Sequence, residues 1–127
     1  MSGIKLYFFV AIGGAIGASL RYFLFETTMT LLGRGFPYAT LLVNVIGSFA
    51  MGALYASIQH EYIITPWRMF LGMGFLGALT TFSTFSLDTL LLMQQGDWFK
   101  AALNIILNVF VCILVAWVGM QLVTVTK

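Results

Sequence analysis

One apolar run carries an unusual density of hydroxyls at its centre: Gly77-Ala78-Leu79-Thr80-Thr81-Phe82-Ser83-Thr84-Phe85-Ser86. Ser, Thr and Gly compete with or loosen the hydrogen bonding of a regular helix, so this stretch can unwind locally. Unwound backbone at membrane depth is tolerated only where it lines a cavity or is buried in protein, and its freed carbonyls commonly hold a cation. The competing reading is a continuous helix whose hydroxyls bond back to their own backbone. Phe82 and Phe85 are three residues apart and share a face of any helix that follows such a break. They are either packing residues or ring edges offered to an anion, since an aromatic edge is electropositive yet binds weakly enough for conduction.

Amides form a second polar set. Asn44 is the one strongly polar residue in the middle of its apolar run, with Thr40 a turn earlier, while Asn104, Asn108 and Cys112 recur every four residues and fall on one helix face. Amide groups donate to an anion without fixed charge, or tie helices together. Arg21, Glu26 and Asp88 are the ionisable residues within apolar runs; Glu26 and Asp88 sit nearer helix ends than centres, and all three are expected at vestibules, snorkelling or pairing, not carrying protons. His60 is the single histidine and Cys112 the single cysteine, so neither a disulfide framework nor a His or Cys metal cluster can be assembled. No nucleophile and base pair and no glycine-rich phosphate loop is visible, which leaves catalysis without machinery.

The elements that must position these residues follow from composition. Of 127 residues, 61% are hydrophobic and 8% charged, with a mean hydropathy of +1.00. A soluble domain of this size could not hide that much apolar surface. A bilayer is crossed by about 20 apolar helical residues, so the length accommodates four crossings in a single domain, residues 1–127, with no soluble part. Turn formers and charge interrupt the runs at Gly33 to Pro37, His60 to Pro66 and Gln94 to Asp97. They leave predicted helices over 4–32, 38–59, 67–93 and 98–125. Thr65 before Pro66, and Asp97, read as N-caps. The first run, interrupted by Arg21 and lacking a clean cleavage site, reads as a retained helix and not a signal peptide. Gly13 with Gly17, Ser48 with Gly52, and the cluster Gly72, Gly74, Gly77 and Ala78 suit close approach of helices in lipid.

Loop charge gives little instruction for orientation. Lys5, Arg68 and Lys127 fall on one side of an even-numbered bundle, and Arg34 and Lys100 on the other. Three against two is a weak bias, so insertion both ways, and with it an antiparallel homodimer, is consistent with the sequence.

The run Gly74-x-x-Gly77-x-x-Thr80-Thr81-Phe82-Ser83-Thr84-Phe85-Ser86 resembles the signature of the CrcB or Fluc family of fluoride channels. Gly13-Gly14-x-x-Gly17-Ala18-x-x-Arg21-Tyr22 is similar to the family's first-helix motif, and Thr40-Leu41-x-Val43-Asn44-x-x-Gly47-Ser48 to its second, so the resemblance covers essentially all four helices. It implies an all-α membrane protein of four helices, the third broken, assembled as an antiparallel dual-topology homodimer in the bacterial inner membrane. Two pores would pass fluoride passively out of the cell, protecting it from fluoride toxicity. The resemblance further implies that Phe82 and Phe85 present ring edges to fluoride, that Asn44 donates a hydrogen bond in the pore, and that the carbonyls of Gly77 and Thr80 hold a structural sodium ion that is not transported. Ser83, Thr84, Asn104 and Asn108 complete the expected pore set, with Arg21 at a vestibule. Two rivals differ in class. A small multidrug-type exchanger needs a carboxylate near the midplane, and Glu26 and Asp88 lie toward helix ends; a structural subunit of a larger membrane complex would conduct nothing alone.

Overall fold

The computed structural model describes residues 3–126; Lys127, counted in the loop balance, lies outside the described residues. Helix α1 spans Gly3–Leu32 and α2 Tyr38–Gln59. The third crossing, Thr65–Gln94, is interrupted: α3 covers residues 65–79, with π-helical turns over Met69–Leu76, and α4 covers Phe82–Gln94. Helix α5, Trp98–Val125, is the fourth crossing and has its own π-helical segment at Leu107–Val111. All four crossings are long and apolar enough to span a bilayer. The chain is an all-α, multi-pass membrane protein.

The expected boundaries hold within two residues, but the caps differ. Ile64, not Thr65, is the N-cap residue of α3, and Pro66 occupies the first turn, where its missing N–H costs nothing. Asp97 stands at the N-cap of α5 without capping it; its carboxylate instead pairs with Lys100 at 3.5 Å. Gly33, with φ +78, closes α1 in the left-handed conformation, its N–H donating to the Met29 carbonyl at 3.0 Å.

Two close helix pairs build the bundle. Helix α1 lies on α3, and a β-carbon added at Gly13 or Gly17 would fall on the carbonyl oxygen of Phe70 or Phe75. Helix α2 lies on the second half of α5, where a β-carbon at Gly52 would meet the Ala116 carbonyl and one at Gly119 the Phe49 carbonyl. Lipid supplies no hydrophobic drive between helices, so backbone-to-backbone approach of this kind carries the association. Ser48, one turn before Gly52, lies on the same seam beside Cys112 of α5 and also lines a cleft described below. Val43, Leu54, Leu76 and Leu79 form the small buried apolar cluster, with Leu20, Leu24 and Phe25 against it. Most other large apolar side chains face outward, as a bilayer or a second chain as solvent allows.

Candidate functional site: a helix break bracketed by asparagine

Thr80 (φ −82, ψ 158) and Thr81 (φ −150, ψ 116) are both extended, and they separate α3 from α4. β-Branched residues are at ease in that conformation. Thr81 is the N-cap of α4: its hydroxyl accepts the Thr84 N–H at 3.1 Å and also bonds the Thr84 and Ser83 hydroxyls. The Thr80 side chain packs its methyl where a β-carbon on Gly47 would sit, docking the break against α2, and its hydroxyl returns to the Leu76 carbonyl at 3.0 Å.

Asn44 brackets the break. Its Oδ1 accepts the Thr81 N–H at 2.9 Å, and its Nδ2 donates to the Thr81 carbonyl at 3.2 Å and to Asn108 Oδ1 at 2.9 Å. The rearrangement explains which carbonyls are released. In a continuous helix the Thr81 N–H would donate to Gly77 and the Thr84 N–H to Thr80; here those N–H groups go to Asn44 and to the Thr81 hydroxyl. Among the described residues no other donor reaches either carbonyl. Gly77 is moreover exposed on the face of the single chain. The donor set is therefore a pair of neutral, hard oxygens at an unwound membrane segment, and it fits an alkali cation. The Ala78 carbonyl between them is occupied by Arg21 Nε at 2.9 Å.

The sequence-predicted residues distribute as follows. Asn44, Thr80, Phe82, Phe85 and Asn108 share one cleft of ≈ 230 Å³, together with Thr81, Ser48 and Cys112. Phe82 and Phe85 are neighbours, ring centroids 5.5 Å apart and tilted by 57°, but their surroundings are unequal: Phe85 is 8% exposed and Phe82 77%. Ser83 and Thr84 cluster on the Thr81 hydroxyl and do not line this cleft. Asn104, expected in the polar track, is likewise outside it; it is 0% exposed, donating to Thr89 Oγ1 and accepting from Asn108. Arg21, expected at a vestibule, reaches the break. Asp88 accepts from the Thr40 hydroxyl at 2.7 Å, and both line a separate cleft of ≈ 520 Å³ near Arg34. Glu26 is exposed on the outer face of α1.

Thr81 has no role among the residues expected from the sequence, although its position before Phe82-Ser83-Thr84 carries the usual N-cap signal. Thr89 is likewise absent from that set. An isolated threonine in an apolar run gives no sign of its partner on another helix.

The family model described as CrcB-like protein, Camphor Resistance (CrcB), matches residues 8–120. A protein of Vibrio vulnificus (strain YJ016) named fluoride-specific ion channel FluC is 58% identical over 123 residues, covering 96% of this chain and 98% of its own length. A protein of the same name from Pseudoalteromonas translucida (strain TAC 125) is 59% identical over 115 residues, covering 90% of this chain and 96% of its own. With nearly all of its length matched, from the glycines of α1 through the break to α5, the chain belongs to the CrcB family.

Proposed function

We propose that this chain is a fluoride-selective channel, not an enzyme, passing fluoride passively out of the cell across the bacterial inner membrane. The observation that carries the reading is the cleft in which two phenylalanines and the Asn44 amide meet at a broken helix. Ring edges and N–H donors attract a small anion weakly and without fixed charge, which suits conduction. The names of the two relatives agree with it.

The working unit is an antiparallel, dual-topology homodimer. The balanced loop charges support this, as does Phe82, whose ring stands outside the fold of a single chain where a second copy would cover it. Each of the dimer's two pores would use Phe82, Phe85 and Asn44, with Asn108 orienting the amide and the Ser83 and Thr84 hydroxyls extending the polar path. The carbonyls of Gly77 and Thr80 are the residues' offer to a structural sodium ion, which when bound supplies positive charge beside the break. Asn44 can serve an anion because its two N–H bonds differ. The one to the Thr81 carbonyl, at 3.2 Å, is the longer and the one to exchange; the one to Asn108, at 2.9 Å, holds the amide in place.

Purified protein in fluoride-loaded liposomes should release fluoride rapidly once an ionophore clamps the voltage, while chloride-loaded liposomes retain their anion. A C-terminal reporter should label from both sides of the membrane. Equal release of both anions would defeat the selectivity, and a single sidedness in every cell the antiparallel dimer.

A further inference from the structure

Five hydrogen bonds run head to tail from the helix break through three crossings and back to the same helix. The Thr81 N–H donates to Asn44 Oδ1 at 2.9 Å, Asn44 Nδ2 to Asn108 Oδ1 at 2.9 Å, and Asn108 Nδ2 to Asn104 Oδ1 at 3.0 Å. Asn104 Nδ2 then donates to Thr89 Oγ1 at 3.0 Å, and the Thr89 hydroxyl to the Phe85 carbonyl at 2.8 Å. Every member donates in the same direction, so the dipoles polarise one another and each bond strengthens the next.

Asn104 and Thr89 do not line the cleft and are buried, so neither faces an anion held in it. An amide in a dry site has two faces that differ in chemistry, and only its partners decide which way it points. Asn108 can present Oδ1 to Asn44 only because its Nδ2 is claimed by Asn104, both at Oδ1 and at the backbone carbonyl, each at 3.0 Å. Asn104 can offer Oδ1 only because its own Nδ2 is claimed by Thr89. We infer that Asn104 and Thr89 are positioning residues that fix the amide orientation of Asn108, and through it of Asn44, so that Asn44 keeps one N–H for the anion path and its Oδ1 for the break. The relay returns to the carbonyl of Phe85, and thereby couples that ring's own turn to the Asn44 amide.

The anion part of this inference rests on the fluoride reading; the relay itself does not, and the test separates them. Thr89→Val keeps shape and removes the hydroxyl, and Thr89→Ser restores it. Loss of one net hydrogen bond corresponds to about a 2- to 10-fold change in an equilibrium. Fluoride release should fall by that order in Thr89→Val and return in Thr89→Ser, with both purifying as the wild type does. The second readout is amide exchange at Thr81, eight positions away along the chain: its N–H should exchange about 2- to 10-fold faster in Thr89→Val and as in wild type in Thr89→Ser. Asn104→Leu should reproduce the Thr89→Val pattern. An unchanged Thr81 amide in Thr89→Val and Asn104→Leu would overturn the relay, whatever the flux does. A perturbed amide with unaltered flux would overturn the positioning role. If the wild type carries no fluoride, the fluoride reading fails and the amide measurement still decides the relay.

Discussion

Arg21 on α1 donates from Nε to the carbonyl of Ala78, two residues before the helix break, across 57 positions of sequence at 2.9 Å. The pairing places a permanent cation at the C-terminal end of α3, where the helix dipole leaves partial negative charge. It also satisfies a carbonyl that the break deprives of its own donor, which in a continuous helix would be the Phe82 N–H.

Arg21→Met should therefore destabilise the folded protein by about 1.5–3 kcal/mol, the range for a hydrogen bond to a charged group. Arg21→Lys should recover only part of this, since an ammonium lacks the planar fork and is more strongly hydrated. Thermal survival of the monodisperse species in detergent measures both. Equal survival of wild type and Arg21→Met would show that the contact contributes nothing to the fold.

The glycines differ sharply in what they exclude. Gly17→Ala puts a methyl on the Phe75 carbonyl and should cost folded yield, because backbone cannot yield as a flexible side chain can. At Gly77 the nearest atom to an added β-carbon is the Gly72 carbonyl at 3.4 Å, an ordinary contact. Gly77→Ala should thus fold with near-normal yield even though the two positions look alike in the sequence. Expression and size-exclusion profiles compare them directly.

What could be read in advance follows the same division. The four crossings were legible because apolar runs of bilayer length are separated by Gly, Pro and charge, and the break because Thr80 and Thr81 head a dense hydroxyl run. The partners at the break were not. Nothing local tells Asn44 to accept the Thr81 N–H, nor that Asn104 turns away from the cleft that Asn108 enters, since a four-residue stripe fixes the face of a helix and not its depth. Gly119 was missed for a related reason: its counterpart, Gly52, lies on another helix, so no spacing pattern links them. The π-helical turns at Met69–Leu76 and Leu107–Val111 also shift which residues share a face, and apolar periodicity does not announce them.

Phe82 and Phe85 should separate stability from flux. Phe85→Ile removes volume from a buried site and should cost up to about 1.5 kcal/mol of stability, whereas Phe82→Ile, on an exposed ring, should cost the single chain little. Both should lower fluoride release substantially, since isoleucine has no positive edge. Normal release from both variants, measured in liposomes beside their melting curves, would return the rings to packing alone.

Sodium dependence is the sharpest test of the released carbonyls. Backbone oxygens cannot be deleted by substitution, so the ion must be varied instead. The N–H groups that would have served Gly77 and Thr80 are held by Asn44 and the Thr81 hydroxyl, which leaves two neutral acceptors whose desolvation in a bilayer is costly unless a cation meets them. Replacing sodium by a bulky organic cation should then lower both fluoride release and thermal stability, and restoring sodium to a hundredfold above its dissociation constant should regain about 2.7 kcal/mol. The ion should stabilise without crossing, so labelled sodium should not enter liposomes in step with fluoride leaving. Stoichiometric sodium movement would make the protein a coupled transporter. Stability and flux indifferent to sodium would mean that the two carbonyls are satisfied by the second copy of the chain or by water.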